Sequence, residues 1–189
     1  MSVILVGGTP GTGKTVVAKI LGSKLSVEVV GLGELAEESG CVSAEDQIRK
    51  TGIINEDCLV DVLVELTEDK TKRLVIEGHY IDLVPSRSVQ WVFLLRTHPE
   101  ILRTRLSKRK YSKEKIIENV EAEILGVCQL DALDAFGEKK VFEVDTSELS
   151  APETAEKIDS IMNDTPTPER IDWMNLLEEE GRLDEFLSE

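Results

Sequence analysis

Lys14 and Thr15 end the run Gly8-Thr9-Pro10-Gly11-Thr12-Gly13-Lys14-Thr15, which directly follows the apolar stretch Ser2-Val3-Ile4-Leu5-Val6-Gly7. The run fits G-x-x-x-x-G-K-[ST], a phosphate-binding loop. Glycines let such a backbone curl until its N–H groups point inward as an anion nest, and a helix opening at Lys14 adds its positive end. In that arrangement Gly11, Thr12, Gly13, Lys14, Thr15 and Val16 surround a triphosphate. The Lys14 ammonium reaches the β- and γ-phosphates, and the Thr15 hydroxyl ligates the Mg²⁺ that accompanies ATP. The implied ligand is a nucleoside triphosphate.

The next candidates are Glu77, His79, Arg105 and Arg109. Glu77 ends the β-rich run Leu74-Val75-Ile76. A carboxylate at such a strand tip lies beside the phosphate loop, where it can hold a Mg²⁺-bound water. His79, two residues on, falls on the ligand side of an open parallel sheet. Neutral, it could orient a water or a phosphate; protonated, it could steady one; a structural histidine is the other reading. Arg105 and Arg109 are four apart and share a face if helical. On a closable segment they would neutralise the charge that builds on a transferring phosphoryl group, while closure expels water. On a solvated helix face they would do neither. His98 falls in a helical first turn and is assigned no chemistry.

The elements that must position these groups can be read from the apolar pattern. Five β-rich runs, at residues 3–6, 27–30, 74–76, 91–95 and 140–144, are separated by helical patterns. That alternation predicts an α/β fold with a parallel sheet covered on both faces. Val16, Val17, Ile20, Leu21 and Leu25 recur at helical spacing behind the phosphate loop. Asn55 is placed to cap a helix over 56–66. Thr97-His98-Pro99-Glu100 reads as a capping box, and Ser112 as the cap of a helix carrying Ile116, Ile117, Val120 and Ile124 on one face. Two insertions interrupt the core: a polar stretch at 33–54, broken by Gly40 and Gly52, and an arginine-rich stretch at 106–113. Residues 164–168 read as a helix stop and stiff linker. Beyond them Ile171, Trp173, Met174, Leu176, Leu177, Leu183, Phe186 and Leu187 mark an apolar face on an acidic segment, which either folds back on the core or docks on a partner.

The 189 residues carry a net charge of −15, which excludes broad electrostatic attraction to nucleic acid. One stretch runs against the trend: residues 96–115 hold eight basic side chains against Glu100 and Glu114, a pattern suited to an anion. Cys41, Cys58 and Cys128 have no C-x-x-C spacing. Their odd count, with no signal peptide, predicts reduced thiols and a cytoplasmic protein. No apolar stretch approaches the roughly 18 residues a membrane helix needs.

Taken together, the phosphate loop, Asn55-Glu56-Asp57, Glu77-Gly78-His79, Leu94-Leu95-Arg96-Thr97, Arg105-Leu106-Ser107-Lys108-Arg109-Lys110-Tyr111 and Glu118-Asn119-Val120-Glu121-Ala122-Glu123-Ile124 resemble the adenylate kinase isoenzyme 6 family. The resemblance covers residues 1–162 and leaves out the acidic tail. It implies a P-loop nucleoside monophosphate kinase fold with a five-stranded parallel sheet. The kinase domain would span residues 1–164, with an AMP-binding insertion at about 31–54 and a lid at about 108–118, and the helical tail 165–189. It implies adenylate kinase and ATPase activity with Mg²⁺ and ATP, AMP and ADP as ligands, and a role in small ribosomal subunit maturation and rRNA processing. The implied partner is a basic small-subunit ribosomal protein, which a strongly acidic monomer would attract.

Two positions depart from the family pattern. Glu77 stands where eukaryotic members have Asp, and Glu37 follows Leu35-Ala36 where they have an arginine. Gly33 and Arg49 are then the candidates for the AMP site. The alternative reading is a nucleotide-switched assembly factor whose ATPase activity, not its kinase activity, matters.

Overall fold

Apolar runs without polar alternation become strands buried on both faces. The computed structural model, which describes residues 2–46, 51–69 and 71–187, opens with such a strand, β1 (Ser2–Gly7). It is followed by α1 (Lys14–Leu25), β2 (Glu28–Gly31), α2 (Leu32–Glu38), β3 (Val42–Asp46), β4 (Thr51–Ile54), α3 (Glu56–Leu66) and β5 (Arg73–Glu77). Two short 3₁₀ turns lead to β6 (Val89–Arg96), α4 (Pro99–Lys108), α5 (Lys113–Ile124) and α6 (Val127–Phe136). The chain then forms β7 (Val141–Asp145), α7 (Ala151–Asp164) and α8 (Trp173–Glu179).

Five strands form one parallel sheet in the order β2-β5-β1-β6-β7. β1 is central, with Val6 opposite Glu77 of β5 on one side and Phe93 of β6 on the other. The chain leaves β1 toward one edge and returns on the other side. The C-terminal end of β1 is therefore the switch point at which open α/β sheets bind ligands.

The period of two along each strand sorts the core into two layers. Val3, Leu5, Leu74 and Ile76 pack with Leu59, Leu63, Ala132 and Phe136 on one face. Ile4, Val6, Val75 and Phe93 pack with Val17, Leu21, Ala155 and Ile158 on the other. A third cluster joins Leu102, Leu106, Val120 and Ile124 of α4 and α5 to Leu177 and Phe186 of the C-terminal segment. The acidic tail thus folds back on its own chain.

Two local expectations are corrected, and among the described residues the insertion holds elements its polar composition does not announce: α2 and an antiparallel pair, β3 with β4. The cap of α4 is His98, whose Nδ1 accepts from the Glu100 N–H at 3.4 Å. Thr97 is fully buried, its hydroxyl 2.8 Å from that of Thr146. The cysteines are not all reduced, because Cys41 and Cys58 form a disulfide with their Cα atoms 5.5 Å apart, leaving Cys128 as the free thiol. What joins them is a backbone bond between remote segments, Asn55 N–H to the Cys41 carbonyl at 2.7 Å, which no cysteine spacing reveals. Asn55 and Ser112 do cap α3 and α5.

Candidate active site

The phosphate loop leaves β1 through positive φ at Gly8, Gly11 and Gly13 (134°, 100° and 105°). A side chain at Gly8 would also put its Cβ 2.4 Å from the Leu95 carbonyl oxygen, so both conformation and space demand glycine there. The Thr9 carbonyl gathers the loop, accepting from the Thr12 N–H at 3.3 Å, the Thr12 hydroxyl at 2.9 Å and Lys14 Nζ at 3.1 Å. Thr12 is 1 % exposed, and its side chain is spent inside the loop instead of facing a ligand. Gly11, Gly13, Lys14, Thr15 and Val16 do line the site, a cavity of about 990 Å³.

Burial lowers the pKa of the Lys14 ammonium from its ordinary value, against the opposing pull of Cys128, Glu77 and Glu123. An arriving triphosphate would supply the missing negative charge. At the cavity edge the Thr15 hydroxyl donates to Glu77 Oε1 at 3.0 Å. These two hard oxygen donors at a phosphate site fit Mg²⁺, which takes few protein ligands and keeps its phosphate oxygens and waters. Among the described residues there is no cluster of three or more His, Cys, Asp or Glu that could hold a metal ion.

His79 lines the cavity with its ring against Tyr80, centroids 3.9 Å apart. The ring is reachable from the cavity, yet the walls around it, then Lys14 and Lys115, push the imidazole down to about 4. It is therefore neutral near pH 7. Arg109 lines the cavity from the cap of α4, just before the turn into α5. Arg105 does not. Its guanidinium donates to the Thr146 carbonyl at 2.7 Å and to the Thr146 hydroxyl at 3.1 Å, tying α4 to the end of β7. That hydroxyl also donates to the Thr12 carbonyl at 3.3 Å, so Arg105 supports the phosphate loop from behind. Gly33 lines the cavity on α2, and Arg49 lies outside the described residues.

Several lining residues had no site role assigned to them from sequence. Lys115 and Asn119 sit one turn apart on α5, and Tyr80 and Cys128 look like ordinary hydrophobic-face residues until the fold brings them to the cavity wall. Glu123 is buried at 2 % exposure, one more acid in an acidic chain, yet it accepts the Thr9 hydroxyl at 2.5 Å.

A phosphate loop at the switch point of a five-stranded parallel sheet, with helices on both faces, defines the P-loop kinase fold. Shikimate kinase from Acinetobacter baumannii, solved with shikimate, shares it: TM-score 0.64 at 20% identity, over 87% of this chain and 93% of that one. Residues 4–126 match the model of the AAA domain family. A Methanothermobacter thermautotrophicus protein named "Putative adenylate kinase" is 42% identical over 160 residues, 85% of this chain and 89% of its own. A protein of the same name from Thermococcus onnurineus is 36% identical over 186 residues, 98% of this chain and 97% of its own, an alignment that takes in the tail. The chain belongs to this AAA-domain family of P-loop proteins, together with those archaeal relatives.

Proposed function

We propose that this protein is an adenylate kinase, transferring the γ-phosphoryl group of ATP to AMP, and that it is an archaeal-type member of the isoenzyme 6 family. One observation carries the reading. A single cavity of about 990 Å³ is walled by the phosphate loop, by Leu32, Gly33 and Ile54 of the insertion, and by Arg109 and Lys115 at the junction of α4 and α5. That is room for a donor and an acceptor nucleotide, with the cations Lys14, Arg109 and Lys115 in its walls. The relatives' name agrees with it.

Phosphoryl transfer needs positioning and charge stabilisation more than covalent chemistry. The loop N–H groups and Lys14 hold the donor phosphates, and Arg109 and Lys115 place positive charge where the transferring group becomes more anionic. Thr15 and Glu77 would hold Mg²⁺, which supplies further neutralisation of the phosphate oxygens when bound. The lid at about 108–118, the turn between α4 and α5 with the start of α5, is the part that would close and exclude water.

The neutral His79 favours a second activity on the same site, in which it orients a water and the protein acts as an ATPase. In this reading the protein works as a cytoplasmic monomer in small ribosomal subunit maturation, and its net charge of −15 draws a basic ribosomal protein. Measuring ADP formed per ATP consumed, with and without AMP, separates the activities: two ADP per ATP marks the kinase, and AMP-independent phosphate release marks the ATPase. Turnover indifferent to AMP would overturn the kinase reading. Pull-downs from extract at low and high salt test the partner; no ribosomal protein under either condition would leave a nucleotide kinase alone.

A further inference from the structure

The tail does more than cover apolar surface. The Glu123 carboxylate takes four donors: the Thr9 hydroxyl at 2.5 Å, Arg96 Nε at 2.9 Å, the Thr97 N–H at 3.0 Å and the Trp173 indole N–H at 3.1 Å. Arg96, itself 2 % exposed, also donates to Glu143 at 2.8 Å, to the Ile171 carbonyl at 3.2 Å and to the Glu123 carbonyl at 2.9 Å. The Ile171 N–H donates to Glu143 at 3.1 Å. Two buried carboxylates therefore share one buried guanidinium. A further cation at this network is Arg170, 3.7 Å from Glu143 and also from the C-terminal segment. A buried carboxylate short of donors or countercharge is costly, so residues 170–173 complete a network that is incomplete without them.

The far end of that network is the phosphate loop. Glu123 fixes the Thr9 side chain, and the Thr9 carbonyl is the acceptor on which Thr12 and Lys14 converge. We propose that Glu123 and Trp173 are positioning residues for ATP: the C-terminal segment holds the phosphate loop in its binding conformation through Glu123 and Thr9. Neither residue touches the ligand. The proposal rests on the phosphate loop being the ATP site.

Trp173→Phe keeps the ring and removes only the indole donor. It should raise the KM for ATP and the Kd of a fluorescent ATP analogue about three- to tenfold, as one lost hydrogen bond would, while the KM for AMP stays put. Glu123→Gln should act in the same direction and more strongly. Combining Trp173→Phe with Thr9→Val should weaken ATP binding by less than the product of the single effects, because both act on one network. A merely structural role predicts a lower Tm with ATP affinity unchanged in Trp173→Phe, and that result overturns the proposal. If Glu123→Gln does not fold, Trp173→Phe decides alone. Lys14→Met is the control. Retained ATP binding in Lys14→Met would defeat the site assignment itself, whereas its loss beside a normal Trp173→Phe would defeat only the positioning role.

Discussion

Lys14 and His79 both lie where the protein disfavours a positive charge, and the consequences differ. For Lys14 the desolvated ammonium is left wanting an anion, so its removal should spare the fold and cripple the chemistry. Lys14→Met should cut nucleotide turnover on the order of a hundredfold or more, with the melting temperature essentially unchanged or raised, since a buried charge gives way to an apolar chain of similar length. For His79 the imidazole should titrate near pH 4. Its ring resonances, assigned with a His79→Asn variant, should stay in the neutral form down to about pH 5. The linkage has a definite sign. Between an ordinary pKa of about 6.5 and the folded value, the unfolded chain binds more protons at this site, so stability falls as pH drops through that window. A midpoint above 6 would mean the ring is solvated and not held. The two arginines should separate as their contacts do. Arg109→Ala should lower kcat more than ATP affinity, because its charge is wanted mainly in the transition state. Arg105→Ala should instead lower the melting temperature, because the Thr146 carbonyl and hydroxyl lose their donor.

At the scale of elements, the insertion is the part most dependent on a tie. The disulfide between Cys41 and Cys58 spans 17 residues and encloses β3 and β4. Closing a loop of that length stabilises by about 3 kcal/mol, so reduction, or a Cys41→Ser Cys58→Ser double variant, should lower Tm by about 6–12 °C. No shift would show that the bond is absent in solution. This is also where sequence reading reached its limit. The central strands were legible because strands buried on both faces are written as unbroken apolar runs, as in Val3-Ile4-Leu5-Val6, and the edge strands β2 and β7 by shorter β-branched runs. β3 and β4 were not, because a pair off the main sheet needs no such run. α6 was obscured by its own side chains: Leu130 is 62 % exposed and Val127 41 % exposed, so its apolar positions do not trace one buried face. In the site, Lys14, Thr15 and Glu77 followed from a motif and a strand tip. Helical spacing puts Arg105 and Arg109 on one face; the helix break at Tyr111-Ser112 favours Arg109, and the end of α4 at Lys108 is what turns it toward the cavity. Glu123 lies in a stretch that carries the family resemblance, but its role had no signal, since that depends on a fold that brings α5 against the phosphate loop.

At the scale of the molecule, the C-terminal segment is part of the core. Leu177 and Phe186 cover Leu102, Leu106, Val120 and Ile124, all nearly inaccessible to solvent. Deleting residues 166–189 should uncover that cluster and lower Tm, with binding of a hydrophobic dye as the readout; each large side chain re-exposed forfeits about 1.5–3 kcal/mol. A truncated chain that melts normally and binds no dye would show that the segment is peripheral. The walls of the cavity come from places far apart in the chain, from Thr9 on the first loop to Cys128 on α6, by way of α2, the tip of β5 and the start of α5. A molecule occupying that space touches segments far apart in the chain, and it behaves thermodynamically like an added piece of interior. By mass action, ligand at a hundred times its dissociation constant adds about 2.7 kcal/mol to the folded state. Occupancy of the cavity therefore sets how readily the chain opens: added ATP, ADP or AMP should each raise Tm and slow proteolysis in proportion to its affinity.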